Sequence, residues 1–190
     1  MQDINFKMER TGASSLIKNS WIHILIWISM LVYVAVAPDV YARFILKEGK
    51  PVPFDQNLPK PTDQISYSVD RLDFIKGQGL FNLWGWSFFR GDRDQSAYER
   101  WIILQSGEQT YSFLSESFQR PELQSAFKDV DIDLSNAGFS APISKYAIEP
   151  GTYQIGILFR HTSSNALYYI VTNKIIVRTP NQIRMDLSNP

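Results

Sequence analysis

The chain has 190 residues, of which 44% are apolar, 14% aromatic and 20% charged. Nineteen Lys and Arg balance nineteen Asp and Glu, so there is no basic field to draw in nucleic-acid phosphates. The absence of cysteine removes disulfides, thiolate metal sites and cysteine nucleophiles together.

Residues 1–20 read as a short polar tail on the cytoplasmic side. Trp21 to Ala37, WIHILIWISMLVYVAVA, carries no charge. As a helix it spans about 25 Å, the short end for a bilayer core. Its nine Ile, Leu and Val residues favour insertion. At about −0.3 to −0.6 kcal/mol each they supply roughly 3–5 kcal/mol before His23 and Ser29 subtract. We read residues 21–37 as an uncleaved transmembrane anchor. Ala35-Val36-Ala37 resembles a signal-peptide cleavage site, but Pro38 in the first position after the cut suits a protease poorly. Lys7, Arg10 and Lys18 precede the anchor and Arg43, Lys47 and Lys50 follow it, so charge alone does not orient it. The short tail places the larger part of the chain outside the cytoplasmic membrane, in the periplasm or at the cell surface.

Residues 38–49 are expected to form a short amphipathic helix, started by Pro38-Asp39 and ended by Gly49. Val40 and Phe44 fall on its apolar face and are candidate contacts to an integral membrane partner or to the bilayer. Residues 50–63 hold four prolines within Pro51–Pro61. They read as a stiff stand-off linker of about 34 Å between membrane and domain, with a loop hugging the edge of the following domain as the alternative.

From residue 64 to 179 the apolar period is two. Ile65, Tyr67 and Val69 alternate with polar neighbours, and Leu80 to Phe89 is apolar on both faces in places. Tyr98 to Gln105 and Gln109 to Glu116 flank the turn Ser106-Gly107-Glu108. Ala137 to Ile143 is a shorter strand. Thr152 to Arg160 puts Tyr153, Ile155, Ile157 and Phe159 on one face. Leu167 to Thr172 and Lys174 to Arg178 follow, with a bend or bulge at Asn173. Between them, Pro121 opens a helical turn with Leu123 and Phe127 four apart, and Arg120 is expected to pair with a carboxylate there. The fold class is all-β, an antiparallel sandwich of seven or eight strands behind one N-terminal helix. Residues 180–190 read as a polar tail.

Four motifs occur in order: Gly85-Trp86, Arg120-Pro121-Glu122-Leu123, Gly138-Phe139-Ser140 and Pro150-Gly151-Thr152-Tyr153. They resemble the Ig-like module of bacterial envelope proteins, including those associated with membrane glycosyltransferases. The resemblance covers residues 64–178 and departs at Glu122-Leu123, where the module has an Asp-Val-like pair. It implies a non-catalytic accessory or recognition module and carries over no catalytic residues, metal ligands or cofactor.

The residues themselves point the same way. Asp129, Asp131 and Asp133 have the alternate spacing of a calcium loop, but Leu134 stands where that loop needs glycine and Ser140 where it needs a bidentate Glu. A solvated rim loop is the plainer reading. His161 beside Thr162, Ser163 and Ser164 is the single histidine outside the anchor, and it reads as a turn rather than a triad base. Asp92 and Asp94, among Arg90, Arg93 and Arg100, read as a charged turn rather than a glycosidase pair. Trp84, Trp86 and Phe88 share a strand face, and Tyr168-Tyr169 lies near the end of the chain. Core packing accounts for Trp86, while Trp84 and Tyr168 are candidate contacts to a partner or to polysaccharide. The expected function is a membrane-anchored accessory subunit, not an enzyme. It would associate with a multi-pass glycan-synthesising or exporting complex. A polysaccharide-binding module and a structural subunit of an unrelated, for instance bioenergetic, membrane complex are the alternatives.

Overall fold

The computed structural model describes residues 21–35, 49–53, 57–75, 79–107 and 109–187. The chain divides into two compact units, Met1–Phe44 and Ile45–Pro190. In the first, residues 21–35 are helical (α1) and their side chains are exposed, Trp21 by 64% and Tyr33 by 73%. Among the described residues no helix is long and apolar enough to cross a membrane. The expected span runs on to residues 36 and 37, which lie outside the described residues. So do residues 38–48, with Val40 and Phe44.

The second unit is an all-β sandwich. One sheet has the order β1-β2-β6-β5, built from Ile65–Ile75, Leu80–Phe89, Gly138–Ser144 and Glu116–Phe118. The other has the order β4-β3-β7-β8-β9, built from Gln109–Leu114, Tyr98–Ser106, Gly151–His161, Leu167–Arg178 and Ile183–Leu187. Every neighbouring pair is antiparallel. The period of two places Leu83 of β2, Ile102 and Leu104 of β3, Phe139 and Ile143 of β6, and Tyr153, Ile155, Ile157 and Phe159 of β7 in one buried cluster. Gly85 pairs with Phe139, whose ring lies where a Cβ would be, so the Gly-Trp and Gly-Phe motifs fit together by close approach.

Four features differ from the expectation. The expected strand Gln109 to Glu116 ends at Leu114, and Glu116–Phe118 cross to the other sheet to pair with β6. Leu167–Arg178 is one strand, not two, and the register shift opposite Gln154/Gly156 falls where Asn173 was expected to bend it. The Gln154 amide donates to the Thr172 and Lys174 carbonyls across this bulge. Ile183–Leu187 form a ninth strand where the sequence reads as a polar tail, because Ile183 and Met185 pack against the core on alternate positions. The proline-rich segment hugs the sandwich instead of standing off from it. Val52 N donates to Ser112 O at 2.8 Å, Leu58 packs on Trp101, Ile103, Leu158 and Tyr169, and Thr62 N donates to Tyr169 O at 2.8 Å. Its described part therefore straps the outer face of the five-stranded sheet from β4 to β8.

Arg100 is buried on the inner face of β3. Its guanidinium donates to Ser87 O and Gly138 O, both at 2.9 Å, and lies over the rings of Phe139 and Phe159 at 5.7 and 5.3 Å. Desolvation pulls its pKa down to about 10, still well above neutrality. Arg100→Leu strands two buried carbonyls and should cost about 2–4 kcal/mol in urea unfolding. Arg160→Leu, which removes the half-exposed pair with Glu99, should cost under about 1 kcal/mol. Equal losses would show that Arg100 does not tie the sheets together.

Tyr98 gives a pH signature. Burial first, and then its hydrogen bond to Asp92 (3.1 Å), push the phenol up to about 12, against an ordinary 10.0. A raised folded pKa contributes stability that is complete below the unfolded value and is lost as pH climbs through the folded one. Stability should therefore fall between about pH 10 and 12, and Tyr98→Phe should flatten that fall. Tyrosinate absorbance followed alongside unfolding measures it, and an unchanged slope in the variant would refute the assignment.

Candidate functional site

The outer face of β1-β2-β6-β5 carries Trp84, Trp86 and Phe88 on alternate positions of β2. Trp86 and Phe88 are covered. The segment after β5 folds over them through α2 (Glu122–Ala126) and the loop beyond, so that Phe88 lies with Leu123, Ile132, Leu134 and Ala137. Phe127 sets its ring edge against Trp86 and Phe88 at 5.2 and 5.3 Å. Trp84 lies beyond this cover and is half-buried.

Around Trp84 is a groove of about 280 Å³ lined by Asp70, Arg71, Trp84, Phe118 and Arg120. Phe118 of β5 meets the indole edge-on at 5.3 Å, and the Arg71 guanidinium lies over its ring at 5.2 Å. Arg120 donates to Asp70 Oδ2 at 2.9 Å and pairs with Glu122, so it pins the start of the covering loop to β1 as its sequence position suggests. These two pairs, Glu122 first, hold the Arg120 pKa above its ordinary range. Arg71 Nε donates to Asp73 at 2.7 Å, and Ser68 Oγ donates to Asp70 Oδ1 at 2.7 Å.

A backbone irregularity creates this cluster. The β1–β2 register shifts between Val69/Arg71, so Asp70 has no partner across the strand pair while Val69 faces Gly85 and Arg71 faces Trp84. Such a bulge re-aims the side chains that follow it. It brings Arg71 to the outer face and lets Leu72 pack against the core. Asp70, Arg71 and Phe118 are the groove residues that alternation in the sequence does not reveal.

The two aromatic candidates do not meet. Trp84 is on the outer face of one sheet, whereas Tyr168 packs against the core at one end of the sandwich, its ring 4.1 Å from Phe89. Tyr98 and His161 complete that end, with rings 5.0 Å apart. His161 Nδ1 lies 3.2 Å from Ser163 Oγ and 3.3 Å from Ser164 N, contacts that close the β7–β8 turn. Asp92 and Asp94 close another turn. Asp92 Oδ1 accepts from Asp94 N, and Asp94 accepts from Ser96 Oγ and N, which lowers its pKa. In the acidic loop, Asp131 pairs with Arg93 and Asp133 accepts from Ser135 N and Oγ. Among the described residues no three His, Cys, Asp or Glu side chains gather to hold a metal ion.

The motif residues have structural places. Gly138 lies under Arg120 Cγ and Phe118, Pro121 opens α2, and Tyr153 Oη donates to Glu149 O at 2.8 Å, tying β7 to the turn just before Gly151. The Trp84 groove thus offers an aromatic wall, two guanidiniums and a carboxylate close together. Comparison with family models, with curated proteins and with solved structures returned no match.

Proposed function

We propose that the chain is a membrane-tethered, non-catalytic recognition module whose Ig-like sandwich holds a saccharide segment in the Trp84 groove. In this reading the apolar helix anchors it in the cytoplasmic membrane with the sandwich outside. It acts as the accessory subunit of a multi-pass complex that makes or exports an envelope glycan. The Ig-like assignment is supported by strand order: β1-β2-β6-β5 opposite β4-β3-β7-β8 follows the two-sheet order of that fold, with β9 added at one edge. The tether is supported by α1, whose exposed side chains are almost all apolar.

The groove carries the functional reading. A pyranose presents C–H groups on its faces and hydroxyls around its rim. An indole accommodates the first, and neighbouring guanidinium and carboxylate groups donate to and accept from the second. The volume of about 280 Å³ suits one or two sugar units rather than a large cofactor. Arg71 is paired with Asp73, and Arg120 with Asp70 and Glu122, so neither guanidinium is left uncompensated, which favours a neutral saccharide over a polyanion.

Two measurements test this. Full-length protein in mild detergent should bind immobilised envelope polysaccharide, and Trp84→Ala should weaken binding by about tenfold or more. Arg71→Ala, at a well-exposed side chain, should weaken it with little change in unfolding temperature, so that lost binding is not mistaken for lost fold. Undiminished binding by both variants would exclude the groove. For the tether, the chain should stay with membranes through alkaline extraction. Ile26→Lys combined with Ile28→Lys adds about 5–7 kcal/mol against the roughly 3–5 kcal/mol favouring insertion and should release it.

A further inference from the structure

We infer that the end of the sandwich where the chain enters is a lipid-facing surface that rests on the headgroups of a bilayer. This goes beyond groove recognition and rests on the membrane-tether reading.

The chain enters the sandwich at Gly49. Gly49 O accepts from Ser144 N at 3.0 Å, its φ is +72°, and a Cβ there would stand 2.6 Å from Ser144 N and 2.9 Å from Leu80 Cδ2. Only glycine lets the incoming backbone lie this close between the start of β2 and the end of β6. Val52, Leu58 and Thr62, which follow, belong to the strap over the five-stranded sheet. In the tether reading, the end that receives the chain is the end turned toward the bilayer.

That end has the composition of an interface. Tyr146 is 67% exposed and Phe74 51% exposed. Tyr146 lies over the β1–β2 turn, where a Cβ on Gly79 would stand 2.7 Å from its ring, and the Lys145 ammonium sits 4.9 Å from the ring centroid. Arg178 donates from Nε to Lys145 O at 2.9 Å and borders the same small cleft as Phe74 and Phe81. Among the described residues, neither Lys50 nor Lys145 pairs with a carboxylate. The Glu149 carboxylate accepts from the Gln109 amide. The opposite end carries Asp92, Asp94, Asp129 and Asp131, partly offset by Arg90 and Arg93. Aromatic rings with cationic side chains at one end, and acidic loops at the other, orient a tethered body with its basic aromatic end toward phosphate headgroups.

The chain has no cysteine, so single labels are unambiguous. Full-length Gln182→Cys places a fluorophore on the β8–β9 turn of this end while leaving Tyr146 and Phe74 intact, and Ser163→Cys places one at the opposite end. Each is reconstituted into protein-free vesicles of phosphatidylcholine, with and without phosphatidylglycerol, containing a lipid-attached quencher. Quenching at residue 182 should exceed that at 163 by about twofold or more, and the excess should grow with anionic lipid. Lys145→Glu combined with Tyr146→Ser should remove the excess while the protein still floats with the vesicles. Equal quenching at both ends in floating protein overturns the lipid-facing assignment alone and leaves protein docking to account for this surface. Failure to float overturns the tether reading and this inference with it.

Discussion

A buried guanidinium with no carboxylate partner among the described residues holds the two sheets in register. Arg100 reaches from β3 to Ser87 O on β2 and Gly138 O on β6, across the interior rather than along a sheet. Desolvation makes this an expensive position for a charge, and its cost is offset by two charge-assisted hydrogen bonds and by the faces of Phe139 and Phe159. The consequences reach the outside of the sheet. Ser87 N donates to Ala137 O at 2.9 Å, and Ala137 belongs to the cluster that covers Phe88. Gly138 lies under Arg120, which ties the covering loop to Asp70. Arg100 inside and Arg120 outside therefore fix the same stretch of β6 from opposite faces. The groove at Trp84 starts where that fixed cover stops.

The strap sets a second constraint. A four-proline segment can extend as a rod when nothing competes for it. Here the outer face of β3, β7 and β8 carries Trp101, Ile103, Leu158 and Tyr169, all buried in the structure and too apolar together to leave in water. Covering it with Leu58 and pairing Val52 and Thr62 with the strand edges gains more than a free, hydrated polyproline helix would. The same contacts occupy free edges of β4 and β8 that would otherwise template another chain. The described prolines are consequently part of the surface of the sandwich and not a free rod.

Much of the sandwich was legible because alternation survives wherever one face is buried. Tyr153, Ile155, Ile157 and Phe159 read correctly, and Trp84, Trp86 and Phe88 were rightly placed together on the other face of β2. The misreadings have physical causes. At Asp70 the bulge inverts the alternation, so Arg71 changes face with no compositional signal, and the groove stayed invisible. Ile183 and Met185 are sparse apolar residues among polar ones, and they form a strand only because the edge of β8 is available to pair. The fate of the prolines depends on a hydrophobic face assembled from strands more than forty residues away in sequence, which no local window contains. Trp84 and Tyr168 have similar chemistry, yet the fold separates them, because which side of a sheet a residue occupies is decided by register and not by type.

The groove and the basic end are linked through β1. Arg71 and Phe74 sit on one strand, and from Arg71 to the end of β1 at Ile75 is four residues, about 13 Å. If the strand stands upright on its basic end, Trp84 opens sideways about one such length above the headgroups, on a wall of the sandwich and not at its summit. Under the proposed function, a saccharide chain held there would run along the membrane surface. The position of the bulge along β1 therefore sets the distance between Trp84 and the basic end, and it is fixed by the core, because moving it by two residues would turn Arg71 inward and Leu72 outward.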